Sequence, residues 1–115
     1  MGYRWSLRYN QRTIKAEDVP REMRVPSVHR GYRLLYQHWG YYFRSLFHLH
    51  NETVNVWSHL IGCVAVVYQI SSYYKFYEER GSDLRYTTVA FGICCFFTLF
   101  NSAVAHLLHS RYARC

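Results

Sequence analysis

Proline and glycine are scarce in this 115-residue chain, with 2 and 6 residues. A collagen-like or low-complexity chain is therefore excluded. The 4 cysteines show no C-x-x-C spacing, which rules out a disulfide scaffold and a structural zinc finger. Acidic residues number only 7 against 14 basic ones, giving a formal net charge of +7. No G-x-S-x-G, H-E-x-x-H, P-loop or dinucleotide fingerprint occurs, so the common hydrolase, metalloprotease and nucleotide-binding signatures are missing. The most informative absence is of charge itself. Neither Val54–Tyr74 nor Tyr86–Ser110 contains a charged residue.

What is present is apolar and aromatic. Half of the residues are hydrophobic and 19% are aromatic, too many for a disordered chain. The mean hydropathy of −0.22 looks like that of a soluble protein only because the apolar residues are unevenly spread. A charge-free apolar run of about 18 residues or more can cross the hydrocarbon core as a helix, and both runs qualify. The first, at about 55–74, carries Leu60, Ile61, Val64, Val66, Val67 and Ile70. It ends in Tyr73 and Tyr74, rings suited to the membrane interface. The second, at about 86–108, carries Val89, Phe91, Ile93, Phe96, Phe97, Leu99 and Phe100. A soluble domain of this size could not surround two helices apolar on every side. The expectation is an all-α, multi-pass protein integral to the plasma membrane or an endomembrane. Its two spans form an antiparallel hairpin joined by the connector 75–85, and the lipid bilayer is its first partner.

Residues 1–50 form a basic region. Arg4, Arg8, Arg12, Lys15, Arg21, Arg24, Arg30, Arg33 and Arg44 face only Glu17, Asp18 and Glu22 there. Arg111 and Arg114 follow the second span, while the connector is balanced. Basic flanks stay on the cytoplasmic side, so the N-terminus is predicted to be cytoplasmic. Such a flank also attracts anionic headgroups, at about 1 kcal/mol per charge. Its dispersed bases do not make a nucleic-acid surface. Pro20 and Pro26 bracket a turn-like segment before Gly31. Residues 32–49 predict an amphipathic helix with Leu35, Trp39, Tyr42, Phe43 and Leu46 near one face, either lying in the interface or packed on the end of the bundle. Asn51-Glu52-Thr53 reads as a glycosylation acceptor, against its cytoplasmic placement.

Polar side chains within a span are costly and usually face the protein interior. Asn51, Asn55 and His59 are spaced by four, and Gly62, Val66 and Gln69 continue that face, leaving Ile61, Val64 and Val67 for lipid. Glu52 stands at the helix N-terminus, where the macrodipole favours an acid. Gly92, Cys95, Ser102, His106 and His109 form a corresponding stripe on the second helix. The two stripes should face each other, with His59 and His106 near the same cytoplasmic end. His106 is the leading candidate metal ligand, with His109 near the helix end and His59 as a further one. The alternatives are a histidine that hydrogen-bonds a neighbour and a Ser102 bonded to its own helix. A tetrahedral zinc site needs three or four ligands, more than this pattern supplies.

The segment Ser45–Leu60, SLFHLHNETVNVWSHL, resembles the start of the first transmembrane helix in the progestin and adipoQ receptor family, related to haemolysin III. Val19-Pro20, Gly31-Tyr32-Arg33 and the S-x-x-x-H element Ser102–His106 are similar to the same family, nearest its membrane progestin receptor branch. The resemblance covers roughly residues 19–110. It implies a core of seven helices, eight in some members, of which this chain holds two and is expected to be an N-terminal piece. It also implies a zinc ion near the cytoplasmic side, with His106 as one ligand and Ser102 as its partner or water-positioning group. The family's third-helix Asp and its H-x-x-x-H element have no positions here. The function implied for the parent protein is a receptor for a steroid or an adiponectin-like ligand. A second reading is zinc-dependent amide hydrolysis of a sphingolipid, ceramide. A third, independent of the family, is a small two-helix membrane adaptor. Catalysis by this chain alone is not expected.

Overall fold

The computed structural model describes residues 13–112. Arg4, Arg8, Arg12, Arg114 and Cys115 lie outside the described residues. The elements are β1 (Ile14–Lys15), β2 (Arg30–Tyr32), α1 (Trp39–Ser45), α2 (Thr53–Glu79) and α3 (Leu84–Tyr112), with short 3-10 turns at Ala16–Asp18 and Arg21–Met23. The chain divides into two compact units. One gathers the described residues up to Thr53 with those from Leu107 on, and the other is Val54–His106.

The second unit is the helix pair. Both helices are long and apolar enough to cross a membrane. At 1.5 Å per residue, α2 and α3 are each about 40 Å long, more than the roughly 30 Å hydrocarbon core. The expected hairpin is present, and the protein is membrane-embedded, but the helices outrun their apolar runs at both ends. The connector expected at 75–85 shrinks to the turn at 80–83. Lys75–Glu79 remain helical because charge stops a hydrocarbon span, not a helix, and Lys and Glu are good helix formers. Gly81 stops α2. It sits at φ +61°, its N–H donates to the Glu78 carbonyl (3.0 Å), and the Ser82 N–H donates to the Tyr77 carbonyl (2.9 Å). This is a Schellman closure, which wants glycine in the left-handed position. Ser82 Oγ then accepts from the Leu84 N–H at the start of α3 (3.3 Å).

Small residues let the two helices approach. A Cβ on Gly62 would lie 3.1 Å from Leu99 Cδ1, and one on Gly92 would overlap Ile70 Cδ1 and Cγ1. Close approach at small residues is the usual basis of helix packing in lipid, where no hydrophobic force separates protein from solvent. Cys63 Sγ reaches the Phe96 carbonyl at 3.7 Å. Ile61, Val64 and Val67 are exposed, on the face left for lipid.

The first unit has its own small core of Ile14, Val19, Met23 and Tyr32, flanked by Ala16, Val28, Leu34 and Leu35. β1 pairs antiparallel with β2, Ile14 opposite Tyr32 and Lys15 opposite Arg30. Pro26 and Ser27 form the turn between them. The Val28 N–H donates to the Val25 carbonyl (3.1 Å) and Ser27 takes φ +67°, which fits a type II turn with proline first. The Tyr32 hydroxyl accepts from the Val25 N–H (2.8 Å) and donates to the Val28 carbonyl (3.1 Å), tying down that turn.

The helix expected over 32–49 is confined to Trp39–Ser45. Tyr32 belongs to β2, and Tyr36 sits at φ +54°, which breaks helical geometry before Trp39. α1 begins where His38 Nδ1 accepts from the Gly40 N–H at 3.3 Å, an N-terminal cap. The expected apolar face is also split. Tyr42 is fully buried while its neighbour Phe43 is exposed, as the 100° step between adjacent helical residues requires.

Candidate functional site

In the helix pair, His59 in the second turn of α2 and His106 near the end of α3 come together. Their ring centroids are 5.5 Å apart and the rings are tilted by 31°. His59 Nδ1 lies 2.5 Å from the carbonyl oxygen of Asn55. Ser102 precedes His106 by one turn, and both are half-buried, while Asn55 and His109 are exposed. The stripes read from the sequence therefore meet at the two histidines. His109 lies off this meeting point.

Among the described residues no three His, Cys, Asp or Glu side chains converge to hold a metal ion. Zinc takes at least three protein ligands even where a position is left open for water. The two imidazoles are of the right chemistry but do not complete a site, so no zinc-bound step can be built from this chain's residues alone.

The first unit contains a denser polar cluster that the charge pattern did not single out. Arg33, expected only as part of the basic flank, is 0% exposed. Its Nη1 donates to Ser45 Oγ (2.9 Å) and to the Leu107 carbonyl in α3 (2.6 Å). Its guanidinium carbon lies 5.4 Å from the centre of the Tyr42 ring. Burial lowers the Arg33 pKa from its ordinary value, opposed by Tyr42, Tyr41 and Glu52. Burial likewise raises those of Tyr41 and Tyr42. The Tyr42 hydroxyl donates to the Leu34 carbonyl (3.0 Å) and accepts from the Gln37 N–H (3.2 Å). The residues around Arg33 thus clasp the end of α3. The Tyr36 N–H donates to the Ser110 carbonyl (3.3 Å), one of the terminal carbonyls a helix cannot satisfy itself. Arg111 Nη1 donates to the Gln37 carbonyl, and its guanidinium stands 4.5 Å over the Trp39 ring. The sequence signal for Arg33 was the Gly31-Tyr32-Arg33 motif, not charge.

Asn51, Glu52 and His50 lie where the first unit leads into α2. Glu52 is buried. The Asn51 N–H donates to the Gly31 carbonyl (2.8 Å), and Asn51 Oδ1 is enclosed. His50 Nδ1 accepts from the Glu52 N–H (3.1 Å), and the His50 N–H donates to Thr53 Oγ1 (2.8 Å). Burial, helped by the Arg33 charge, lowers the His50 pKa to about 4 against the pull of the Ser45 backbone and Glu52. Its imidazole is therefore neutral at physiological pH and free to accept through Nδ1.

A profile of the haemolysin-III-related family matches residues 47–114. The chain belongs to that family. Within this haemolysin-III-related group it is similar to the membrane progestin receptors, as the Ser45–Leu60 motif implied. It is 33% identical over 99 residues to membrane progestin receptor alpha of Homo sapiens and 37% identical over 100 residues to that of Mus musculus. It is 38% identical over 103 residues to membrane progestin receptor beta of Mus musculus. These matches cover 86% of the chain but only 28–29% of the relatives, so the chain spans under a third of their length. No solved structure matches it.

Proposed function

We propose that the chain supplies the first two membrane helices and the preceding cytoplasmic cap of a receptor for a progestin-class steroid. The observation that supports this most is the likeness to membrane progestin receptors alpha and beta across 86% of the chain. The meeting of His59 and His106 within the helix pair supports a polar site at the cap-side ends of the two helices. In a protein of the relatives' length, His106 would be one ligand of a zinc ion, with the other ligands supplied from outside this chain. Ser102, one turn earlier on α3, would orient His106 or a water molecule. The basic residues before α2, against a balanced turn between the spans, support a cytoplasmic cap.

Saturation binding of a radiolabelled progestin tests the receptor reading, using membranes that carry a protein of the relatives' length containing this segment. Specific binding that weakens with His106→Ala is expected. No specific binding above empty membranes overturns the receptor reading. Binding indifferent to His106→Ala, with unchanged zinc content, removes His106 from the site.

A second reading, an amide hydrolase acting on ceramide, draws on the one-turn spacing of Ser102 and His106 on α3; a zinc ion held with the help of His106 would supply an activated water there. Ceramide turnover by the purified protein, abolished by His106→Ala, is the expected result under this reading. Absence of turnover with zinc bound refutes it.

A further inference from the structure

α1 presents its faces in an unusual sense. Its inward side is the polar one: Tyr42 and Ser45 are buried against Arg33. Its outward side carries Phe43, 53% exposed, and Phe47, 78% exposed, followed by Leu49, 87% exposed. Phe47 lies beyond the end of α1 in a tight turn, its N–H donating to the Arg44 carbonyl at 3.1 Å. Exposed Arg44 lies between the two rings in sequence. Large apolar side chains rarely cluster outward without something to cover them.

The depth of this surface is set within the same unit. Arg111 is the first charge after the charge-free run of α3 and marks where that span leaves the hydrocarbon. Trp39, the first residue of α1, lies under the Arg111 guanidinium at 4.5 Å, and the Gln37 carbonyl holds the same side chain. α1 therefore starts against the end of α3, beside Arg111. Arg21, Arg24 and Arg30 are exposed elsewhere on the unit, together with Glu17, Asp18 and Glu22, so Arg44 is the cation that adjoins these rings in sequence. Aromatic rings flanked by arginine at the end of a span match an interfacial anchor.

We infer that Phe43, Phe47 and Leu49 insert into the boundary between headgroups and acyl chains of an anionic leaflet, with Arg44 among the lipid phosphates. The Arg33 cluster holds the helix in shape beforehand, so insertion requires no folding of α1. This assignment goes beyond the receptor reading and stands whether or not a progestin binds.

The test uses the full chain in phosphatidylcholine vesicles with and without phosphatidylserine, its native cysteines replaced by serine. An environment-sensitive fluorophore is attached at Phe47→Cys and, as a water-facing control, at Lys15→Cys. The Phe47 label should emit to the blue and be quenched by lipids carrying a nitroxide near the headgroup end of the acyl chain. Aqueous iodide should quench it about threefold less than the Lys15 label, as expected for a burial of about 5–10 Å. Iodide quenching equal to that at Lys15 overturns the inference. So does a blue-shifted label that neither quencher reaches, which indicates coverage by protein. If the cysteine-free chain does not fold, 4-cyanophenylalanine at Phe47 in the native background gives the same reading. A nitrile stretch at the dehydrated frequency, shifted by nitroxide lipid, supports insertion, and a fully hydrated frequency refutes it.

Discussion

Replacing Arg33 by methionine keeps most of its volume and removes its charge and donors. The structure fixes what is lost: a bond to Ser45 Oγ, a bond to the Leu107 carbonyl and the contact over the Tyr42 ring. Hydrogen bonds from a charged donor each contribute about 1.5–3 kcal/mol, and a desolvated cation over an aromatic ring about 2 kcal/mol. The guanidinium's own desolvation opposes these, as its lowered pKa records. Breaking a buried charged cluster by removing one member costs about 3–5 kcal/mol, because its partners stay buried. A loss near the lower end, about 3 kcal/mol, is expected, since methionine fills the space. In detergent micelles, amide hydrogen exchange in residues 33–45 and 107–112 should accelerate about 100-fold, at 1.4 kcal/mol per factor of ten. Exchange in the middle of α2 should be unchanged. Arg33→Lys should fall between wild type and methionine, because an ammonium cannot reproduce the planar fork. Adding Glu52→Gln to Arg33→Met should recover part of the loss, since the buried carboxylate no longer lacks its cation. If Arg33→Met alters local stability by less than about 0.5 kcal/mol, a typical surface effect, Arg33 is not the centre of the clasp.

Gly92→Ala should destabilise the helix pair by about 1–3 kcal/mol through overlap with Ile70, read as a lower thermal midpoint in micelles. Ile70→Ala in the same chain should restore part of it. Gly62→Ala should be milder, because Leu99 need move only a few tenths of an ångström. Gly81→Val should cost about 1–2 kcal/mol at its left-handed φ, measured by the same melt. The His50 pKa falls from 6.5 to about 4 on folding, so the unfolded chain takes up the proton first as pH drops. Stability is full above about pH 6.5, declines through that window and levels off below about pH 4. The loss is under about 2 kcal/mol, because His50 is only half-buried and solvent screens it. His50→Gln should flatten this part of the pH–stability curve.

The spans were legible because a run without charge has few readings besides hydrocarbon. Their ends were not, since Lys75–Glu79 break the apolar pattern without breaking the helix, and only Gly81 carries the stop. The meeting of His59 with His106 was legible from i, i+4 spacing on two helices forced antiparallel by a short turn. Arg33 was not: a basic residue in a basic flank looks solvated, and its burial depends on Leu107, which lies 74 residues away. The helix over 32–49 failed for a related reason. Its apolar residues belong to two different surfaces, Tyr42 inward and Phe43 outward, and Tyr36 at positive φ interrupts the period.

The grip of Arg33 on Leu107 also orders events during synthesis. The segment from Ile14 to Thr53 emerges first, yet it cannot close until nearly all of α3 exists. Membrane helices form as the chain enters the bilayer, whereas contacts distant in sequence must wait for loop closure. The cap is thus the last part of this chain to be completed. Until then the Arg33 guanidinium lacks its Leu107 acceptor and Trp39 lacks its Arg111. A chain whose second span is mispositioned leaves the same groups exposed, so cap closure reports that both spans have been placed.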